Sequence, residues 1–254
     1  MINQLRTDLY RLSHTWGILL TLVFTIAYSF IITSNSIVGG IMVTGDSMSK
    51  LSVVSWTLKD GINASTLSST LLVYIFIGIF VMTIGYEFSQ KTYKNTLVSG
   101  ITRSQFIISK YLIMLLNIFC LILIYFLTSI VSGMISSRTV GTSWQNLFSM
   151  VFNTSLVIAF FISVVFGMAI LVLLLTSSVV IGSLFIVIFP ILITTLHNIA
   201  NWDWLKYFDF FSAAMKISLK LTPSNQLWNY VLVSLAVLIV TMILSVVLIK
   251  QKEL

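Results

Sequence analysis

The sequence predicts an all-α integral membrane protein with six transmembrane helices, and three observations predict it. The chain is 58% hydrophobic and only 8% charged, with a mean hydropathy of +1.06; a soluble domain carries about 25% charged residues. Between Thr139 and Trp202 there is no Lys, Arg, Asp or Glu. As one straight helix that run would measure about 96 Å, against a hydrocarbon core about 30 Å thick. It must therefore fold back, and Thr176-Ser177-Ser178 is the natural break. Further charge-free runs at Leu12–Gly45, Gly61–Tyr86, Tyr111–Ser137 and Leu221–Ile249 each exceed the roughly 20 residues a spanning helix needs.

Taken in order, the chain reads as one transmembrane unit over 1–254. Residues 1–15 form an interfacial helix: Ile2, Leu5, Leu9, Leu12 and Trp16 fall within an arc of about 80°, with Arg6, Thr7, Arg11 and His14 off it. The alternative is a basic tail without structure. The spans are expected at 16–34, 66–86, 106–132, 151–175, 179–197 and 228–249. The first is too long for a removable signal segment and no small-x-small cleavage pattern follows it. Residues 35–65 make a Ser-, Thr- and Gly-rich loop, and Cys120, inside the third span, reads as a small core residue. Pro190 removes one backbone bond within the fifth span, which leaves either a tolerated kink or a gate. Between the last two spans, Trp202 and Trp204 suit a membrane interface. Trp204, Phe208, Phe211, Met215 and Leu219 recur at helical spacing, as an outer amphipathic helix ended by Pro223.

The segment 87–105 carries the densest charge. Tyr93, Leu97 and Ile101 share a helical face, Gly100 suits a helix end, and Thr102 with Gln105 has capping-box spacing for the next helix. Six spans place both termini on one side. Arg6, Arg11, Lys91, Lys94, Arg103, Lys110, Lys250 and Lys252 fall there on short segments, and Lys50, Lys59, Arg138, Lys206, Lys216 and Lys220 fall on longer segments opposite. The denser positive charge marks the termini as cytoplasmic. The net charge of +7 thereby reads as topology and attraction to anionic lipid, not as a nucleic-acid footprint.

What is missing narrows the function. No span holds a central acid or base, while Glu87, Lys110 and Arg138 sit at the edges; proton- and sodium-driven carriers build on such groups. There is no HExxH, GxSxG or GxxxxGK[ST] pattern. Of the two histidines, His14 precedes the first span and His197 sits at the outer end of the fifth, so neither a metal site nor a histidine triad is easily built. The chain is expected to be no enzyme, and to be a helical pathway driven through a cytoplasmic partner at 87–105.

At that segment the sequence resembles the ABC-2-type permease family, the membrane subunits of one class of ABC exporters. The motif reads Glu87, Lys91-Thr92, Leu97-Val98-Ser99-Gly100-Ile101-Thr102, Arg103 and Lys110. Lys91 and Ile101 stand where the commonest form has Gly and Pro. The resemblance implies that 89–101 is a coupling helix seated on a cytoplasmic ABC ATPase subunit, with Glu87 and Arg103 bracketing it by ion pairing or capping and Lys91, Tyr93, Lys94, Leu97 and Ile101 on it. It implies a second permease copy or homologue, ATP and Mg bound only by the partner ATPase, and a bacterial cell membrane. Small permeases similar to this one serve export of, or immunity to, antimicrobial and amphipathic peptides, phenol-soluble modulins among them. The competing expectation is a non-transporting sensor or assembly protein that docks its partner through 87–105.

Overall fold

A computed structural model describes residues 2–39, 56–98, 100–200 and 202–251. Residues 40–55 of the expected loop, with Lys50, and Ser99 and Lys252 lie outside the described residues. The elements are α1 (Ile2–Ser13), α2 (Trp16–Ser34), α3 (Leu58–Ser89), α4 (Tyr93–Val98), α5 (Arg103–Ile135), α6 (Trp144–Thr176), α7 (Val179–Ala200), a 3-10 turn (Asp203–Tyr207), α8 (Phe210–Ser218) and α9 (Ser224–Gln251). No strand occurs among the described residues. Six helices, α2, α3, α5, α6, α7 and α9, are long and apolar enough to cross a membrane: the chain is an all-α, multi-pass membrane protein.

Three spans run longer than their apolar windows. α3 starts at Leu58 because Thr57 and Asp60 form a reciprocal capping box. α5 starts at Arg103 on Thr102, whose hydroxyl accepts from the Gln105 amide at 3.3 Å, and α6 starts at Trp144 on Ser143, whose hydroxyl accepts from the Asn146 amide. Hydropathy reports only the lipid-crossing part of a helix, so the 33 residues of α5 and α6, about 50 Å of helix, overrun it. The break in the long run is where it was expected. α6 ends at Thr176, Ser177 takes a left-handed φ of 54°, and α7 begins at Val179.

α3 and α6 form the core, each 67% buried over its apolar window, against 22–28% for α2, α7 and α9. α6 packs against α5, α7, α8 and α9 around Phe80, Phe161 and Phe166, all under 3% exposed. α2 has its polarity inverted. Thr21, Thr25, Ser29 and Thr33, spaced by four, are buried while Leu20, Val23, Phe24 and Ile31 are exposed, the arrangement lipid favours. Ser29 donates to the Tyr125 carbonyl at 2.6 Å, Thr33 to the Ser129 hydroxyl at 3.0 Å, and Ser129 meets Ser65 of α3 at 2.9 Å. One hydroxyl thus joins three helices. Ser129→Ala strands two buried hydroxyls and is expected to cost about 1 kcal/mol, read as a lowered unfolding midpoint in detergent.

Two expectations about the remaining segments are corrected. The outer amphipathic helix is not continuous. Asp209 caps α8 by accepting from the Ser212 amide at 3.1 Å, separating a 3-10 turn from an inward-packed helix. Trp202 and Trp204 are exposed, Phe208 is half-buried, and Phe211 and Met215 are buried. Cys120 is exposed, not a core residue. α7 continues through Pro190, whose carbonyl accepts from Thr194 at 2.8 Å.

Candidate functional site

At the end of the bundle that carries both termini, α1 does not lie on its apolar arc. Gln4, Asp8 and Leu12, spaced by four, are 7%, 4% and 1% exposed, whereas Leu9 is 39% and Trp16 80% exposed. The cause is a charge cluster that recruits the polar face of α1 inward. Lys110, seven residues into α5 and 1% exposed, donates from Nζ to both carboxylate oxygens of Asp8 at 2.8 Å and to Glu87 Oε1. Arg11 donates to the same Glu87 oxygen and to the Thr83 carbonyl at 3.3 Å. The nitrogen that donates to Thr83, Nη2, also lies 3.5 Å from Asp8. Two acids and two bases sum to zero, the condition under which an ammonium is tolerated away from water. Lys110 Nζ also lies 5.4 Å from the centre of the Phe106 ring.

The local fold of α3 makes this possible. Val81–Gly85 is a π turn, which shifts the helical register and is common at functional positions. It places Thr83 and Glu87 toward α1 and leaves the Thr83 carbonyl able to accept from Arg11. Gly85 within it is required by close approach, since a Cβ there would lie 2.8 Å from Val179 of α7. Glu87 Oε2, Thr83 Oγ1 and both amide atoms of Gln4 are buried without partners among the described residues, so the cluster holds unused polar capacity next to its ion pairs.

Burial pushes the Asp8 carboxyl above its ordinary 3.8, with Lys110 pulling it back. A carboxyl whose affinity for protons is higher when α1 is seated takes up a proton on seating. Seating is therefore strongest below the ordinary value, weakens as pH rises toward the raised one, and is level above it. The expected outcome is that hydrogen exchange of residues 2–13 speeds up over that window in the native chain and not in Asp8→Asn. Equal pH profiles for the two would contradict it.

Beyond Glu87 the chain turns at Lys91, φ 57°, and makes α4. The expected helix over 89–101 is shorter, covering Tyr93–Val98 and ending at Gly100, φ 93°. Tyr93 stacks on Phe88 with ring centres 4.4 Å apart and planes 7° from parallel. Phe88 in turn meets Phe106 of α5 at 6.4 Å. Tyr93 and Leu97 are buried and Ile101 packs on the same core, so the apolar face of the segment attaches it to its own bundle. The outward face consists of Lys91, Asn95 and Val98, the last 72% exposed, with Lys94 half-buried beside them.

Glu87 and Arg103 were expected to bracket the segment by ion pairing or capping, and the ion pairs of Glu87 run to Lys110 and Arg11. Arg103 sits half-buried on the first turn of α5, its Nε buried without a partner among the described residues. Pro190 and the aromatic group at Trp202, Trp204, Phe208 and Phe211 belong to other elements, α7, the turn leading into α8, and α8 itself. Sequence reasoning missed Asp8 and Arg11 as members of the cluster. The available signal was Asp8 itself, the one acid in the first forty-five residues, three positions before Arg11.

The chain belongs to the family described as "Protein of unknown function (DUF2705)", which matches residues 21–254. No curated protein and no solved structure matches it.

Proposed function

We propose that this chain is the transmembrane permease subunit of an ATP-driven exporter of the ABC-2 type, coupled to a cytoplasmic ATPase through α4. The observation that carries the reading is the asymmetry of that short helix. Its apolar face is held to the bundle by the Phe88–Tyr93 stack, and Asn95 and Val98 are exposed on it, with Lys91 exposed in the turn before it. Its root is Glu87, ion-paired to α1 and α5. A displacement of α4 by a closing ATPase dimer would be carried at once into α1, α3 and α5, a rigid-body switch of the hinge-and-shear kind. ATP and Mg stay with the partner. Two permeases, as copies or homologues, enclose the pathway, and both termini are cytoplasmic in a bacterial cell membrane.

The cargo is an amphipathic or apolar molecule, with peptides of the antimicrobial or phenol-soluble-modulin kind the leading class. The support is chemical. The described spans present apolar surfaces to their surroundings, and the buried charges are neutralised within the chain. The test is co-purification with an ATPase that bears a Walker loop, followed by ATP hydrolysis and peptide release from reconstituted vesicles. Hydrolysis raised by the permease and dependent on α4 is the expected result. A purified chain that moves solute on a proton or sodium gradient alone would overturn the reading.

A further inference from the structure

At the end of the bundle opposite the termini, the start of α3, the outer turns of α6 and the end of α8 enclose a hollow of about 710 Å³. Lys59 from α3 and Lys220 from the end of α8 both line it, and neither makes an ion pair among the described residues. Its other polar lining includes Asn63, Asn146 and Asn153, and no carboxylate lines it among the described residues. Asp60, the neighbour of Lys59, is turned away into its capping box, where it accepts from the Thr57 hydroxyl at 2.7 Å. Ser218, also in the lining, has a buried hydroxyl with no partner among the described residues. Two cations without an ion pair among the described residues, three amides and a hydroxyl therefore converge on one space, and that donor set recognises a phosphate.

The apolar surroundings say what the phosphate is attached to. At about 100° per residue, Ser149 and Asn153, which line the hollow, lie on a face of α6 adjacent to Phe152 and Leu156. Those two are 51% and 50% exposed. They line a second hollow of about 610 Å³, formed with Leu116 and Phe119 of α5 and with Leu5 and Leu9 of α1. A molecule whose anionic head entered the polar hollow would find its tails beside an unpartnered apolar ridge of the same helix. Lys220 holds a left-handed φ of 55°, a conformation that favours glycine, so a lysine is kept in the hollow's wall at some conformational cost.

We infer that the hollow at Lys59 and Lys220 binds the phosphate headgroup of an anionic phospholipid, with the acyl chains lying along Phe152 and Leu156. The probe is phosphatidylglycerol, against phosphatidylcholine of the same chains, with the full-length protein in nanodiscs and lipid retention read by native mass spectrometry. The native chain is expected to retain phosphatidylglycerol about thirtyfold over phosphatidylcholine, the size two headgroup-level lysines give. Lys59→Gln with Lys220→Gln is expected to abolish that preference, and Lys59→Arg with Lys220→Arg to restore it. Both positions are exposed, so an unchanged unfolding midpoint separates lost binding from lost fold. Millimolar inorganic phosphate distinguishes the two sources of the group. Phosphatidylglycerol that stays bound supports the lipid, and its displacement by free phosphate overturns the assignment. Undiminished preference in the Gln variant overturns it as well.

Discussion

Lys110→Met is expected to destabilise the protein by about 3–5 kcal/mol, the penalty for removing one partner of a buried ion pair. Lys110 is the hub of the cluster, touching Asp8 and Glu87 together while 1% exposed. Without it, two buried carboxylates face one arginine whose side chain is 41% exposed, and Coulomb repulsion joins their desolvation. The same argument makes the loss non-additive. Glu87→Gln alone leaves Lys110 and Arg11 to share one carboxylate, that of Asp8. The double variant removes one charge of each sign and restores balance, so its cost should fall short of the sum by about 1–3 kcal/mol. Unfolding titrations of the two single variants and the double variant in detergent measure that coupling. Strict additivity would mean the four charges do not act as one unit. Because α1 is seated by these contacts, protease access to residues 2–13 should rise in step with the loss.

Lys91→Glu combined with Val98→Asp is expected to lower affinity for the ATPase at least tenfold, about 1.4 kcal/mol, while leaving the fold within about 0.5 kcal/mol. Both residues are exposed, Lys91 in the turn before α4 and Val98 at its end, so their own chain loses little when they change, and a docked partner would meet two carboxylates where it met a cation and a methyl group. Tyr93→Ala is the control that behaves differently. It removes a buried ring stacked on Phe88, so about 3–5 kcal/mol of stability and coupling should fall together. ATPase co-purification and hydrolysis rates, set beside unfolding midpoints, separate the two patterns. Full ATPase stimulation by the Lys91→Glu, Val98→Asp variant would remove α4 as the coupling surface.

The candidate site was legible in part. Glu87, Lys91, Tyr93, Lys94, Leu97, Ile101 and Arg103 were recognisable as one segment by charge density and turn chemistry, and the structure places the short helix there. Which side each residue faces was not legible. A stripe of Tyr93, Leu97 and Ile101 has the same spacing whether it meets a partner or its own bundle, and Phe88 and Phe106 are what turn it inward. The direction of α1 reversed for a related reason. Its apolar arc and its polar face are both real, and a hydropathy argument prefers to bury the first. The structure buries part of the second, because an ammonium on α5 and a carboxylate on α3 wait for Asp8 and Arg11 across roughly 80 to 100 positions of chain.

By itself, the sequence determined that this protein is a bundle of membrane helices, where the long uncharged run turns back, and which connecting segments gather charge. Those are consequences of composition and one-dimensional spacing, since water, lipid and helix geometry act on each segment separately. Only the tertiary structure decided that Asp8, Arg11, Glu87 and Lys110 share one dry site, that α2 shows its hydroxyls to its neighbours, and that Lys59 and Lys220 look into a common hollow. Such meetings depend on how helices far apart in the chain are packed. That packing is set by the sum of many side-chain contacts, and no local pattern in the sequence records it.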